Sequence, residues 1–88
     1  MRYRVEITKR AERQFDSLPR EAQVRVNKLF DVLAEDPRSH GAVKMEGHAD
    51  LYRMRTGDWR VVYEIRDNVL LVLVVAVGHR REIYRDLG

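Results

Sequence analysis

The stretch Val69-Leu-Leu-Val-Leu-Val-Val-Ala-Val77 is the most apolar part of this 88-residue sequence. It is too short to span a bilayer as a helix, and most of its residues are β-branched, which is typical of a buried strand. Because apolar side chains would occupy both faces of a sheet, we expect this strand at the centre rather than at an edge. The remaining elements can be placed around it.

Two further strands are predicted directly upstream. Residues 51–55 and 59–65 alternate polar and apolar side chains, and turn sequences at 56–58 and 66–68 separate the three strands. Such short connections favour antiparallel neighbours. The C-terminal half therefore predicts a three-stranded antiparallel meander.

The N-terminal half predicts one strand and two helices. Residues 2–7 alternate like a half-buried strand, and Thr8 is a suitable N-cap for a short helix that Pro19 ends. An apolar stripe with helical spacing marks a second helix, which stops at Asp36-Pro37. This stripe consists of Ala22, Val26, Leu29, Phe30 and Leu33. The two helices form an α-helical hairpin, and residues 37–50, without periodicity, predict a long loop of the kind that is often functional.

The predicted fold class is α+β. An N-terminal strand is followed by the helical hairpin and then by the meander, and the helices pack on one face of the sheet. Eighty-eight residues suffice for one hydrophobic core, so residues 1–88 are expected to form a single domain.

Composition excludes several classes of function. The sequence has no cysteine, which removes disulfides, thiolate chemistry and cysteine zinc sites and suits a cytoplasmic protein. No leader peptide or membrane-spanning run is recognised. His40 and His48 lack metal-ligand spacing, and Gly-rich phosphate loops and dinucleotide motifs are absent. We therefore expect neither a metal nor a cofactor.

Chemistry-bearing residues follow the apolar strand at once, in the segment Gly78-His79-Arg80-Arg81-Glu-Ile-Tyr84-Arg85. A buried strand holds the groups at its exit in fixed positions. Guanidinium groups suit phosphate, and His and Tyr can transfer protons. The segment therefore predicts a phosphate-handling site.

Arginines in the two upstream strands are expected to join this site. Side chains alternate along a strand, so Arg53, Arg55 and Arg60 lie on the face opposite the apolar Met54 and Val61. We expect Met54 and Val61 to contact the helices. Like charges that face each other across strands destabilise a sheet, which favours an anionic ligand. An ordinary solvated face is the competing interpretation, since 14 of the 17 basic residues are arginine. The set expected to converge is Arg53, Arg55, Arg60, Arg80 and Tyr84.

Several motifs together resemble one known family. They are Leu51-Tyr-Arg-Met-Arg55, Gly57-Asp-Trp-Arg-Val-Val-Tyr63 and Val77-Gly-His-Arg-Arg-Glu-Ile-Tyr-Arg85, preceded by Lys44-Met-Glu-Gly47. Their order resembles the RelE/ParE toxins of bacterial and archaeal toxin–antitoxin pairs. The likeness spans essentially the whole chain, and it is the combination of motifs that is specific.

In the RelE branch, the resemblance implies metal-independent cleavage of mRNA in the ribosomal A site through attack by the RNA 2′-hydroxyl. The candidate catalytic residues are Arg60, Arg80 and Tyr84, which match positions of that branch, together with His79, whose imidazole can accept a proton. Tyr84 is favoured as the base, because nearby guanidinium charges are expected to lower its pKa, and His79 is its rival. Relatives often carry lysine where Arg53 and Arg55 stand, but arginine keeps its proton and can only orient and neutralise the phosphate. The phosphate-binding residues implied are Arg53, Arg55, Arg81, Arg85 and Lys44.

The ParE branch implies another activity, the poisoning of DNA gyrase by binding without nuclease chemistry. A nucleic-acid-binding module without chemistry is a third interpretation. Proton-transfer residues inside a basic cluster favour the RelE branch. Either branch implies a cognate antitoxin, expected to be encoded nearby, and the RelE branch adds mRNA and the ribosome as partners, with no role for a membrane.

Overall fold

A computed structural model describes residues 2–47 and 50–79 of the chain. Its elements follow the predicted order and confirm the strand, the helical hairpin and the meander, with a two-residue strand added inside the predicted loop. The elements are β1 Arg4–Ile7, α1 Lys9–Asp16, α2 Arg20–Glu35, β2 Val43–Lys44, β3 Leu51–Thr56, β4 Trp59–Arg66 and β5 Leu71–His79.

The strands form one five-stranded sheet in the order β1-β5-β4-β3-β2. The apolar strand β5 lies between β1 and β4, as its two apolar faces predict. β1 runs parallel to β5, and the other neighbouring pairs are antiparallel. The long crossover required by the parallel pair is supplied by the helices and the meander that separate β1 from β5.

Both helices cover the same face of the sheet, called here the helix side. Val26, Leu29 and Leu33 of α2 are buried against it. Full burial of such a side chain stabilises the fold by about 1.5–3 kcal/mol. The opposite face of the sheet is not covered by either helix and is called the open face. The sheet residues in this core are Met54, Val61, Tyr63, Ile65, Val72, Val74 and Val77.

Sequence signals fix the ends of the helices. The hydroxyl Oγ1 of Thr8 accepts a hydrogen bond from the Ala11 amide at 3.1 Å, which confirms the predicted N-cap of α1. Pro19 is the N-cap residue of α2, and Asp36, which precedes a proline, is extended and ends that helix. No helix within the described ranges is long and apolar enough to cross a membrane.

Two strand starts differ from the sequence prediction. The predicted start of β5 at Val69 is wrong, because Asp67–Val69 form a 3₁₀ turn and Leu70 takes a left-handed φ of 50°. β1 starts at Arg4 and not at Arg2. The Tyr3 amide donates to the Ala34 carbonyl of α2 at 2.7 Å and thus joins the helix layer.

An ionic clasp joins the segment after α2 to the 3₁₀ turn. Arg38 donates from Nη1 and Nη2 to the two carboxylate oxygens of Asp67 at 2.9 and 2.8 Å, and the Tyr3 hydroxyl donates to Asp67 Oδ1 at 2.6 Å. These bonds, that of Arg38 first, lower the pKa of Asp67 to about 2. The Arg38 guanidinium also lies 5.5 Å from the ring centroid of Tyr52, which stacks on Tyr63. The Arg38–Asp67 clasp thus connects the segment after α2 to the end of β4, and through Tyr52 it also contacts β3.

Candidate functional site

A row of residues crosses three strands on the open face. Arg55 of β3 pairs with Arg60 of β4, and Arg60 pairs with Gly78 of β5. Cross-strand partners point to the same face, about 4.8 Å apart along the sheet. The two arginines are therefore neighbours, and Gly78 contributes no side chain beside Arg60. Arg53 pairs with Val62 on the same face, so the predicted common face of the three strand arginines is confirmed.

Arg55 and Arg60 have no carboxylate partner among the described residues, unlike several other arginines of this protein. Arg2, Arg4 and Arg66 are each ion-paired on the surface. In contrast, the Nε of Arg60 is buried and makes no hydrogen bond within the described part of the chain. A buried donor without an acceptor costs about 1–3 kcal/mol, and the adjacent like charge adds to this cost. The pair therefore favours an anionic ligand over an ordinary solvated face.

The open face also has an apolar patch, which was not predicted from the sequence. Val62 and Ala76 are fully buried there, and Met45, Leu51 and Val75 pack against them. The available signal was that Val61 and Val62 are both apolar, so β4 does not alternate strictly. The arginines thus stand beside an apolar surface, an arrangement that can hold a phosphate together with the apolar face of an attached group.

A β-bulge determines which residues of β5 reach this face. Val62 pairs with Ala76 but Tyr63 pairs with Val74, which leaves Val75 as an extra residue in β5. An extra residue reverses the alternation of every side chain after it. Gly78 is consequently on the open face and His79 on the helix side.

His79, a predicted catalytic residue, therefore lies on the face opposite the Arg55–Arg60 row. It pairs with Trp59 and meets the Trp59 ring edge-on, with 5.5 Å between the centroids. The bulge places His79 on this face, and a bulge cannot be predicted from a strict two-residue alternation.

Lys44 is likewise not brought to the arginines. It pairs with Tyr52, and in β3 the side chain of Tyr52 points to the face opposite Arg53. The other predicted site residues, Arg80, Arg81, Tyr84 and Arg85, lie outside the described residues.

Gln14 of α1 supports the end of β5 and was missed by the sequence analysis. Its carboxamide oxygen accepts a hydrogen bond from the Val77 amide at 3.0 Å. The β1–β5 ladder ends at the Ile7–Val74 pair. Beyond it, a side chain of α1 and not a strand residue accepts the hydrogen bond of the Val77 amide. No sequence signal identifies such a residue, because its partner is a distant backbone group.

The row can bind and neutralise a phosphodiester. Two adjacent guanidinium groups offer fixed donors to phosphate oxygens, and one of these donors already lies in a buried position. Among residues 2–47 and 50–79, no three His, Cys, Asp or Glu side chains come together as a potential metal site.

Comparison with known proteins assigns the family. Residues 5–84 match the model of a protein family that is described as the ParE toxin of type II toxin–antitoxin system, parDE. This chain is a RelE/ParE toxin. A putative RelE-like toxin protein of Escherichia coli is 32% identical to it over 82 residues, which is 91% of this chain and 85% of that protein. The mRNA interferase toxin RelE of Escherichia coli K12 is 29% identical over 98% of this chain and 94% of its own length.

The fold comparison agrees with this assignment. The archaeal RelE–RelB complex from Pyrococcus horikoshii OT3 contains a chain that superposes with a TM-score of 0.80 at 31% identity. The match covers 93% of this RelE/ParE toxin and 99% of that chain. The α+β class and the predicted family are both confirmed.

Proposed function

We propose that this RelE/ParE toxin is an endoribonuclease that cleaves mRNA in the ribosomal A site without a metal ion and thereby arrests translation. The observation that carries the proposal is the Arg55–Arg60 pair, two facing cations that have no carboxylate partner in the described part of the chain. The similarity to an mRNA interferase toxin supports it. A cognate antitoxin, as in the RelE–RelB complex of the archaeal relative, would hold the activity in check.

RNA supplies its own nucleophile. The 2′-oxygen attacks the adjacent phosphorus and forms a P–O2′ bond while the P–O5′ bond breaks, which gives a 2′,3′-cyclic phosphate and a free 5′-hydroxyl. The protein must orient the phosphate, neutralise its non-bridging oxygens, remove one proton and supply another. We assign orientation and neutralisation to Arg53, Arg55 and Arg60. Arg80 contacts the phosphate or the departing 5′-oxygen, and Arg81 and Arg85 hold the flanking backbone.

Tyr84 is our choice for the group that accepts the 2′-hydroxyl proton. The strand arginines cannot take this role, because guanidinium does not lose its proton in proteins. His79 is the rival, but its pairing with Trp59 directs it to the helix side, away from the Arg55–Arg60 row. This geometry favours Tyr84.

Primer extension on a reporter mRNA, with and without ribosomes, tests the activity. The wild type should cut within codons only when ribosomes are present, and Arg60→Ala should slow single-turnover cleavage by about 10²–10³-fold through loss of charge stabilisation. Tyr84→Phe should slow it by about 10²–10⁴-fold while RNA binding is retained.

Arg66→Ala is the matched control for this experiment. Arg66 lies on the same strand and face as Arg60 but is paired with Glu64 at 2.6 Å, so its removal should leave cleavage unchanged. Attack by the 2′-hydroxyl also predicts cyclic-phosphate ends, whereas a metal-activated water would leave none. Full activity of Arg60→Ala would contradict the proposal.

Gyrase poisoning is the second candidate, because the matching family model is that of ParE toxins. It predicts a DNA-damage response and inhibited supercoiling by purified gyrase, with intact mRNA. The Arg60→Ala and Arg66→Ala pair separates the two activities, since gyrase inhibition needs no phosphodiester chemistry at Arg60.

A further inference from the structure

An apolar surface adjoins the arginine row on the open face, where β2 forms the edge of the sheet. Val43 pairs with Arg53, and the Met45 amide donates to the Leu51 carbonyl at 2.9 Å. Cross-strand partners share a face, so all four side chains lie on the open face. The apolar surface formed by Val43, Met45 and Leu51 is called here the β2 surface.

The β2 surface has a buried floor and an accessible top. Met45 and Leu51 are partly buried and pack against Val62 and Ala76, which are fully buried. Val43 is 45% exposed. A ligand can therefore contact Val43, Met45 and Leu51 without displacing the residues beneath them. Removing this apolar surface from water favours the binding of an apolar group.

Arg53 connects the β2 surface to the arginine row. Its backbone lies between Val43 of β2 and Val62 of β4, so its aliphatic stem continues the apolar surface. Arg55 follows two residues later on β3, about 7 Å away at the ordinary rise of a strand. A ligand whose apolar part rests on the β2 surface can therefore reach the Arg55–Arg60 pair with an anionic group.

A nucleotide has both parts in one unit, since a single sugar joins the planar base to the anionic phosphate. We propose that the β2 surface holds the nucleobase next to the phosphodiester bound by the Arg55–Arg60 row, and that it selects bases by ring size. This inference rests on the proposed function, because it adds base recognition to the same site.

The chemistry of the β2 surface determines which bases it prefers. Its valine, methionine and leucine side chains offer no hydrogen-bond donor and no strong acceptor to the edge of a base. A purine covers more apolar surface than a pyrimidine and should therefore bind more tightly. Adenine and guanine, which differ at their edges, should bind alike.

A nucleobase suits the β2 surface better than a protein segment does. Apolar surface alone is compatible with a protein contact. Here, however, the arginines lie beside it, and the Nε of Arg60 is buried without an acceptor in the described part of the chain. A nucleotide satisfies this donor with its phosphate while its base covers the apolar side chains, and the face of a sheet is a suitable platform for planar bases.

Single-turnover cleavage of a set of reporter mRNAs on ribosomes tests the proposal. The mRNAs carry each of the four bases in turn at every position of the codon in the A site, so they cover both nucleotides at the cut. At one of these positions the wild type should cleave about fivefold faster with a purine than with a pyrimidine, and adenine and guanine should differ little. Equal rates for purines and pyrimidines at every position would overturn the proposal.

The double variant Val43→Thr/Met45→Gln links this preference to the β2 surface. Both substitutions keep the approximate size of the side chain, add no charge and reduce its apolar character. The purine-to-pyrimidine ratio of rate constants should fall to about one. An inactive fraction of the protein lowers both rate constants equally and leaves their ratio unchanged. If the double variant does not fold, Val43→Thr alone replaces it, because this position is exposed.

Val69→Thr is the matched control. Val69 is a 52% exposed valine in the 3₁₀ turn and lies outside the β2 surface, so its substitution should preserve the wild-type ratio. A wild-type ratio in the double variant as well would show that the β2 surface does not contact the base and would leave it as a surface for a protein contact.

Binding of small phosphates separates this inference from the proposed function. The rise in Tm of the purified toxin over a concentration series gives the dissociation constants of adenosine 5′-monophosphate and ribose 5-phosphate. The wild type should bind the nucleotide about fivefold more tightly, whereas the double variant should bind both alike. Arg60→Ala should weaken both, because it removes a donor to the phosphate that they share.

The two experiments can fail independently. If the wild type cleaves mRNA but binds the nucleotide and ribose 5-phosphate equally, the β2 surface does not hold the base, and the ribonuclease activity stands. If the wild type cleaves no mRNA but binds the nucleotide more tightly, and the double variant does not, the base site stands and the proposed function is wrong.

Discussion

At the scale of single residues, arginines of one chain occupy opposite environments. Arg38 has both carboxylate oxygens of Asp67 within hydrogen-bond distance, which raises the pKa of Arg38 further. Arg60 has a buried donor with no acceptor in the described part of the chain. The first arrangement stabilises the fold, whereas the second leaves a buried donor unpaired, which the phosphate contact that we propose would satisfy.

The Arg38–Asp67 clasp predicts a pH dependence of stability. The pKa of Asp67 falls from its ordinary 3.8 to about 2 in the folded protein, so the clasp stabilises the fold fully above pH 4 and loses this effect as the pH falls through about 2. Urea unfolding of the wild type and of Asp67→Asn at several pH values measures it. The difference in unfolding free energy should be constant near neutrality and should shrink below pH 4. A difference that does not change with pH would contradict the role of the charged carboxylate.

At the scale of secondary-structure elements, the features that were predicted correctly are those that a local sequence pattern determines. The apolar stripe of α2, the Thr8 cap and the position of β5 beside two neighbours all followed from spacing. The bulge at Val75 did not, because it arises from the fit of β5 to β4 and leaves no mark in a run of valines. The common face of Arg53, Arg55 and Arg60 follows from the alternation of side chains in β3 and β4, whereas the face of His79 depends on this one extra residue, which the sequence does not reveal.

Gln14 links α1 to the strand segment after that bulge, and its removal should loosen the segment. Gln14→Ala removes the acceptor of the Val77 amide and should lower the unfolding free energy by about 1–3 kcal/mol. Hydrogen exchange at Val77 should accelerate more than exchange at Val72, which lies in the β1–β5 ladder. Gln14→Glu keeps an oxygen acceptor and should retain most of the protection. Unchanged exchange at Val77 in Gln14→Ala would show that another group holds this end of β5.

At the scale of the whole molecule, the two faces of the sheet differ in composition. The helix side holds the main core, whereas the open face combines a small apolar patch with facing cations. If the proposed function is correct, binding of an anion to this face restores the stability that the facing cations cost.

Arg60→Leu should therefore make the free protein more stable and less active. Leucine removes the unpaired buried Nε and the charge facing Arg55, and it extends the apolar patch around Val62, so unfolding should require about 1–3 kcal/mol more free energy. For a domain of this size, each 1 kcal/mol raises the Tm by about 4–8 °C. Inorganic phosphate should raise the Tm of the wild type but hardly that of Arg60→Leu, because only a ligand that binds the native state stabilises it. The ion-paired Arg66→Leu should show no gain. A lower Tm for Arg60→Leu would mean that Arg60 is part of the structural core, and that the Arg55–Arg60 row is not an anion site left incomplete in the free protein.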